Sequence, residues 1–167
     1  PKVKIILYNF SKLSNFLFKP EFVKKLVSDF PKNVIGVKCS SYNLYENLKI
    51  PNFLIFPGSE AKLVKSLELG CAGCISAVTN VTHSIARKVF DDFEKKSPQS
   101  MNTKLISVRE AFDKYHLIAA LHLFMSCSDK KYKNLLPPLV SLSDPEEKEL
   151  LTKLENLDFL PNKGMAA

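Results

Sequence analysis

The stretch "NVIGVKCSS" (Asn33–Ser41) decides how the rest of the chain is organised. Val34, Ile35, Gly36 and Val37 are β-branched or glycine, the composition of a short buried strand. Lys38 follows at once, then Cys39, Ser40 and Ser41. An ammonium group at the end of a buried strand must be paired, reach solvent or be used. Upstream, "KPEFVKKLVSDF" sets Phe22, Val23, Leu26, Val27 and Phe30 at helical spacing, with Pro20 suited to a first turn. Downstream, "SSYNLYENL" reads as a short helix opened by serines.

The same alternation runs through the first part of the chain. The expected strands are Val3–Leu7, Val34–Val37, Phe53–Phe56 and Cys74–Ser76. Helical patterns follow each, including "EAKLVKSLELG", stopped by Gly70, and the amphipathic "VTHSIARKVFDDFEKK". A β-α-β-α-β-α-β-α order implies an α/β fold with a parallel sheet and right-handed crossovers. After Pro98 the strand patterns cease. "SMNTKLISVREAFDKYHLIAALHLFMSC" is apolar at helical period, with His116 a candidate break. "NLLPPLVSL" reads as an extended linker, and "SDPEEKELLTKLENL" opens with Ser143 and Glu146 in capping-box spacing. The expected division is residues 1–98, four βα units, and residues 99–167, a helical extension.

Composition narrows the function classes. The chain has 167 residues, 46% hydrophobic and 25% charged, which suits one globular domain rather than disorder. Its apolar runs are too short to span a bilayer. Net charge is +7, yet of 24 basic residues only Arg87 and Arg109 are arginines, and the lysines are scattered. Nucleic-acid recognition favours clustered arginine forks, so this charge reads as solvated surface. Of the four cysteines, Cys71 and Cys74 form one C-x-x-C with neither a second pair nor spaced histidines. No metal or other cofactor is implied, and small buried thiols fit a reducing, cytoplasmic setting.

The interesting polar residues fall where strands end: Tyr8-Asn9, Lys38, Gly58-Ser59-Glu60 and Ser76. In parallel α/β folds that rim is where ligands bind. A neutral amine is the nucleophile that forms a Schiff base with a ketone, and desolvation favours the neutral form. The plainer alternative for Lys38 is a strand-end lysine reaching into water.

"ILYNF", "NVIGVKCSS", "FLIFPGSE" and "ELGCAGCISAVTNV", in that order, resemble the dihydrodipicolinate synthase/N-acetylneuraminate lyase family. "YHLIAALHLFM" and "LLPPLVSLSDPEEKELLTKLE" extend the resemblance into its C-terminal helices. It implies a TIM (β/α)8 barrel of class I pyruvate aldolases and lyases, of which this chain is the C-terminal half, strands five to eight, plus the helical extension. It implies that Lys38 is the Schiff-base lysine and Tyr8 the proton relay. It further implies that Gly58 supplies a backbone contact, that Glu60 lies near substrate hydroxyls and that Ile75 lines the pyruvate pocket. Three positions depart from the pattern. Ser11 stands where proline is common, Leu13 where the dihydrodipicolinate synthase branch carries a carboxylate-binding arginine, and Cys39 after the lysine.

The function implied is a carbon–carbon lyase acting through a lysine Schiff base on a 2-keto-3-deoxy sugar acid or a sialic-acid-like substrate. The alternatives are a 4-hydroxy-tetrahydrodipicolinate synthase of lysine biosynthesis, or a catalytically silent barrel fragment. A full barrel takes about 250 residues. The expected partners are therefore pyruvate or another 2-oxo acid, an N-terminal half-barrel with the carboxylate-binding threonines, and further copies in a homotetramer. Nucleic acid and membrane are not expected partners.

Overall fold

A computed structural model describes residues 2–161. Residue 1 and residues 162–167, part of the two expected segments, lie outside the described residues. Three strands form one parallel sheet in the order β1 (Ile5–Asn9), β2 (Val34–Cys39), β3 (Leu54–Pro57). Tyr8 is the register partner of Lys38, which in turn faces Phe56. The strands run later than the residue pattern suggested, so Tyr8 and Lys38 are strand residues rather than loop residues. Gly36 is required by sheet geometry, because a Cβ there would meet the Leu54 carbonyl oxygen at 2.6 Å.

The short helix α1 (Ser11–Ser14) and α2 (Pro20–Asp29) follow β1. Helix α3 (Leu44–Asn47) follows β2. A 3₁₀ turn at Glu60–Lys62 leads from β3 into α4 (Leu63–Glu68). The fourth expected strand, Cys74–Ser76, is corrected. Residues 71–76 run alongside β3, with Ala72 N–H donating to Ile55 O and Ile75 N–H to Pro57 O, both at 3.1 Å. They are not a regular strand. Gly70 (φ +87°) and Gly73 (φ +142°) break the extended backbone, and no strand pairs with their far side among the described residues.

The sheet has two unlike faces, as strand alternation requires. On one, Leu7, Val37, Cys39 and Ile55 pack with Val23, Leu44, Tyr45 and Leu48 from the helices. On the other, Ile6, Tyr8, Leu54 and, beyond β3, Ile75 are 38–46% exposed.

Helix α5 (Thr79–Glu94) returns across α4 and carries Ala86 and Val89 into a core shared with Leu63, Leu67 and Leu105. The apolar stretch after Pro98 divides into α6 (Asn102–Asp113) and α7 (Leu117–Ser126). The break is at the expected residue, since His116 is extended (φ −60°, ψ 108°). A 3₁₀ turn (Lys130–Lys133) and a non-helical stretch containing Pro137-Pro138 precede α8 (Asp144–Asn156). The capping box forms: Ser143 N–H donates to the Glu146 carboxylate at 2.8 Å. Val108, Phe112, Leu121, Phe124, Leu150 and Leu154 are the buried centre of this helical layer. No described helix is long and apolar enough to cross a membrane.

Candidate active site

Parallel strands end together, so their last residues converge on one rim. A cleft of about 370 Å³ opens there, lined among others by Tyr8, Lys38, Ser40, Gly58, Lys62 and Arg109. Lys38 Nζ sits 4.1 Å from the centroid of the Tyr8 ring, the geometry of a cation–π contact. Among the described residues that amine has no hydrogen bond or ion pair, and the Tyr8 hydroxyl has no hydrogen bond. Among the described residues the strand-end lysine therefore meets neither a carboxylate nor full burial. The amine lies against an aromatic face inside a cleft.

The frame beneath these two side chains is cross-linked by hydrogen bonds. Asn9, fully buried beside Tyr8, accepts from Phe18 N–H (3.0 Å) and donates to Phe18 O (3.1 Å). Its backbone oxygen accepts from the N–H groups of Ser40 (2.9 Å) and Ser41 (3.1 Å). The loop after β1 and the turn after β2 are thus tied to the same residue. Gly58 N–H donates to Cys39 O at 2.8 Å. A Cβ on Gly58 would meet Ser40 Oγ at 2.2 Å, so only glycine lets these two strand ends approach.

Glu60 and Ile75 stand elsewhere. Glu60 is fully buried, its carboxylate held by Arg109 (3.1 Å) and by the Thr82 hydroxyl (3.2 Å), and it does not line the cleft. Ile75 is 38% exposed on the open face, outside the cleft lining.

Arg109 is the residue that sequence reasoning passed over as surface charge. Its side chain is only 11% exposed. It donates to Glu60, to Ser76 Oγ (2.9 Å) and, from Nε, to Asp113 (2.9 Å). Burial alone would pull the guanidinium down, but the hydrogen bonds and charges of Asp113 and Glu60 outweigh it, so the group is held above its ordinary value. Arg109 therefore pins α6 to the rim by a buried charge network. A signal existed: Leu105, Val108, Ala111 and Phe112 form the buried stripe of α6, and position 109 borders it.

The C-x-x-C carries no activated thiol. Burial pushes both Cys71 and Cys74 up to about 11, so both are protonated near neutral pH and are poor nucleophiles.

The model of the dihydrodipicolinate synthetase family matches residues 1–157. The chain belongs to that family. A DapA-like lyase of uncharacterised activity from Chloroflexus aurantiacus is 26% identical over 161 residues, covering 92% of this chain and 54% of that protein. A 2-dehydro-3-deoxy-D-gluconate/2-dehydro-3-deoxy-phosphogluconate aldolase from Picrophilus torridus is 35% identical over 88 residues, 50% of this chain and 32% of that one. Among solved structures, YagE from E. coli K12, crystallised with pyruvate, superposes with a TM-score of 0.81 at 21% identity. The match covers 93% of this chain and 56% of YagE. Such a likeness is one of fold, and it makes this an α/β chain with (β/α)8-barrel relatives. The chain spans about half the length of the first of these curated relatives. Family members include lyases and aldolases.

Proposed function

We propose that this chain forms strands five to eight, plus the C-terminal helices, of a (β/α)8-barrel aldolase that acts through a Schiff base on Lys38. The observation that carries the reading is the Lys38 amine, unpaired among the described residues, against the Tyr8 ring in a strand-end cleft. In the proposed reaction the neutral amine attacks the ketone carbon of pyruvate to give a carbinolamine. Loss of water gives the imine, and loss of a methyl proton gives an enamine that attacks an aldehyde; cleavage is the reverse. Tyr8 is proposed to move the protons, since its hydroxyl can both donate and accept. With its N–H committed to Cys39, Gly58 contributes its carbonyl and the absence of a side chain. Ile75 offers an apolar wall on the open face, and Glu60 acts through Arg109 rather than by direct contact. Imine chemistry of this kind requires no cofactor.

Leu13, where an arginine would hold the dihydrodipicolinate synthase substrate, favours a 2-keto-3-deoxy sugar acid or sialic-acid-like substrate. The named activity of the Picrophilus relative points the same way. The exposed inner face of the sheet supports a further half-barrel as partner, with cytoplasmic homotetramers as the proposed assembly.

The test is borohydride reduction of the full-length protein in the presence of pyruvate, read by mass. A reduced pyruvyl adduct on Lys38, lost in Lys38→Ala and Lys38→Arg, is the expected result, because arginine stays protonated. Trapping at the wild-type rate in Lys38→Ala would overturn the reading. No adduct in the wild type would favour a silent barrel module.

A further inference from the structure

The charge of this chain is unevenly spread. Residues 1–65 carry eleven lysines against four acidic residues, which is the whole net charge of +7. Residues 66–167 carry thirteen charged residues of each sign. Each part presents one exposed feature away from the strand-end cleft.

The first is an aromatic knob between β1 and α2. Phe16, Phe18 and Phe22 form a three-ring cluster with centroids 5.0–5.9 Å apart. Phe16 and Phe22 are nevertheless 47% and 41% exposed, and Leu13 in α1 is 76% exposed. Rings that already hold one another lose little freedom when a partner covers them, which is what an interface anchor requires. Lys12 and Lys19 stand in the same stretch, are exposed and meet no carboxylate among the described residues.

The second is a groove along α8. Two hollows of about 550 and 580 Å³ share Glu155, Leu160 and Pro161, so they run into one another. Ile85, Phe159 and Leu151 add to the apolar lining. The carboxylates along the second hollow are those of Asp144, Glu147 and Glu155, and none has an ion-pair partner among the described residues. Lys148 alone stands against them there. An apolar groove with unmatched carboxylates fits a segment that brings rings and cations together.

We infer that the aromatic knob of one copy of this chain docks in the acidic α8 groove of a second copy. Charge selects the occupant: residues 12–22 supply the rings and the unmatched lysines that the groove calls for. Knob and groove are different surfaces of one chain, so the contact is heterologous and repeats in one direction, into a ring where the rotation closes. It uses neither the open face of the sheet nor the cleft, and it does not rest on the Schiff-base reading.

The groove carries its own reporter, since Cys127 is exposed and lines it. Full-length Leu13→Cys is treated with a short bis-maleimide, and linked peptides are mapped by mass in a mixture of isotope-labelled and unlabelled protein. Linkage between position 13 of one copy and Cys127 of another is expected, and Cys127→Ser should abolish it. In the Leu13→Cys background, Phe22→Asp should lower the yield about tenfold or more, the scale of a lost anchor. Lys19→Glu and Glu155→Lys should each lower it, the two together should restore it, and added salt should weaken it. These positions are exposed, so the unfolding midpoint and pyruvate trapping should stay at the wild-type value throughout. Absence of linkage between copies would overturn the contact, and it is the result expected if the chain's own terminal residues or a different protein fill the groove. A yield unchanged by Phe22→Asp, or by both charge reversals, would overturn it as well.

Discussion

The two faces of the sheet are made from the same strands and behave as opposites. Leu7, Val37 and Ile55 point toward helices and are closed over by Val23, Leu44 and Leu48. Their neighbours one residue away, Ile6, Tyr8 and Leu54, point the other way and are 39–46% exposed. Both faces are apolar enough to be buried, but only one has cover within the described chain. The closed face supplies stability, and the open face carries Tyr8, for which we propose a chemical role. A parallel sheet buried on both sides is the norm, so the open face is the surface that a barrel interior would use.

This contrast can be broken most sharply at Tyr8. Tyr8→Phe in the full-length protein should lower turnover about 10²–10⁴-fold, the range for a lost general acid–base, with slower trapping of pyruvate and an unchanged unfolding midpoint. A matching loss of stability would make Tyr8 a packing residue. Arg109→Met tests the buried network from the helical side. Removing the guanidinium strands the fully buried Glu60, so the chain should lose about 3–5 kcal/mol in denaturant unfolding, and Glu60→Gln in the same background should recover part of it. A change under about 1 kcal/mol would mean the pair is not load-carrying.

Alkaline pH probes the closed layers. Cys71 and Cys74 are raised to about 11 by burial, from an ordinary 9.0. Between these values the unfolded chain releases thiol protons that the folded chain keeps. The thiol contribution is therefore fully present below about pH 9 and lost as pH rises toward 11. The unfolding midpoint should fall across that window, and less steeply in Cys71→Ala/Cys74→Ala, measured against the double variant's own neutral-pH value. Ser143→Ala removes the cap of α8 and should cost about 1 kcal/mol, with little effect on pyruvate trapping. The smallest effect is expected at Ile6→Lys: within about 0.5 kcal/mol in the 167-residue chain, since the side chain is already 42% exposed. In the full-length protein the same substitution should be strongly destabilising if a second half-barrel covers this face. Equal, small effects in both contexts would argue against that cover.

Much of the architecture was legible because it rests on periodicity. The βα alternation, the break at His116, the capping box at Ser143 and the strand-end positions of Tyr8 and Lys38 follow from residue spacing and local backbone preference. The fourth strand failed for a local reason with a tertiary outcome. Cys74–Ser76 reads as strand, but Gly73 at φ +142° and the lack of an outer partner among the described residues leave it as an extended edge.

The sequence by itself determined which residues share a face within one element and which stand near strand ends, since spacing fixes those. It named Lys38 and Tyr8, register partners whose shared position at the rim follows from parallel pairing. Only the tertiary structure decided that Glu60 faces Arg109, 49 positions away, instead of the cleft, and that Lys62 meets Asn43 rather than a carboxylate. The physical reason is that a charge's partner is chosen by which elements pack together. Packing of α6 against the rim turned a surface-looking arginine into the clamp between α6, Glu60 and Ser76.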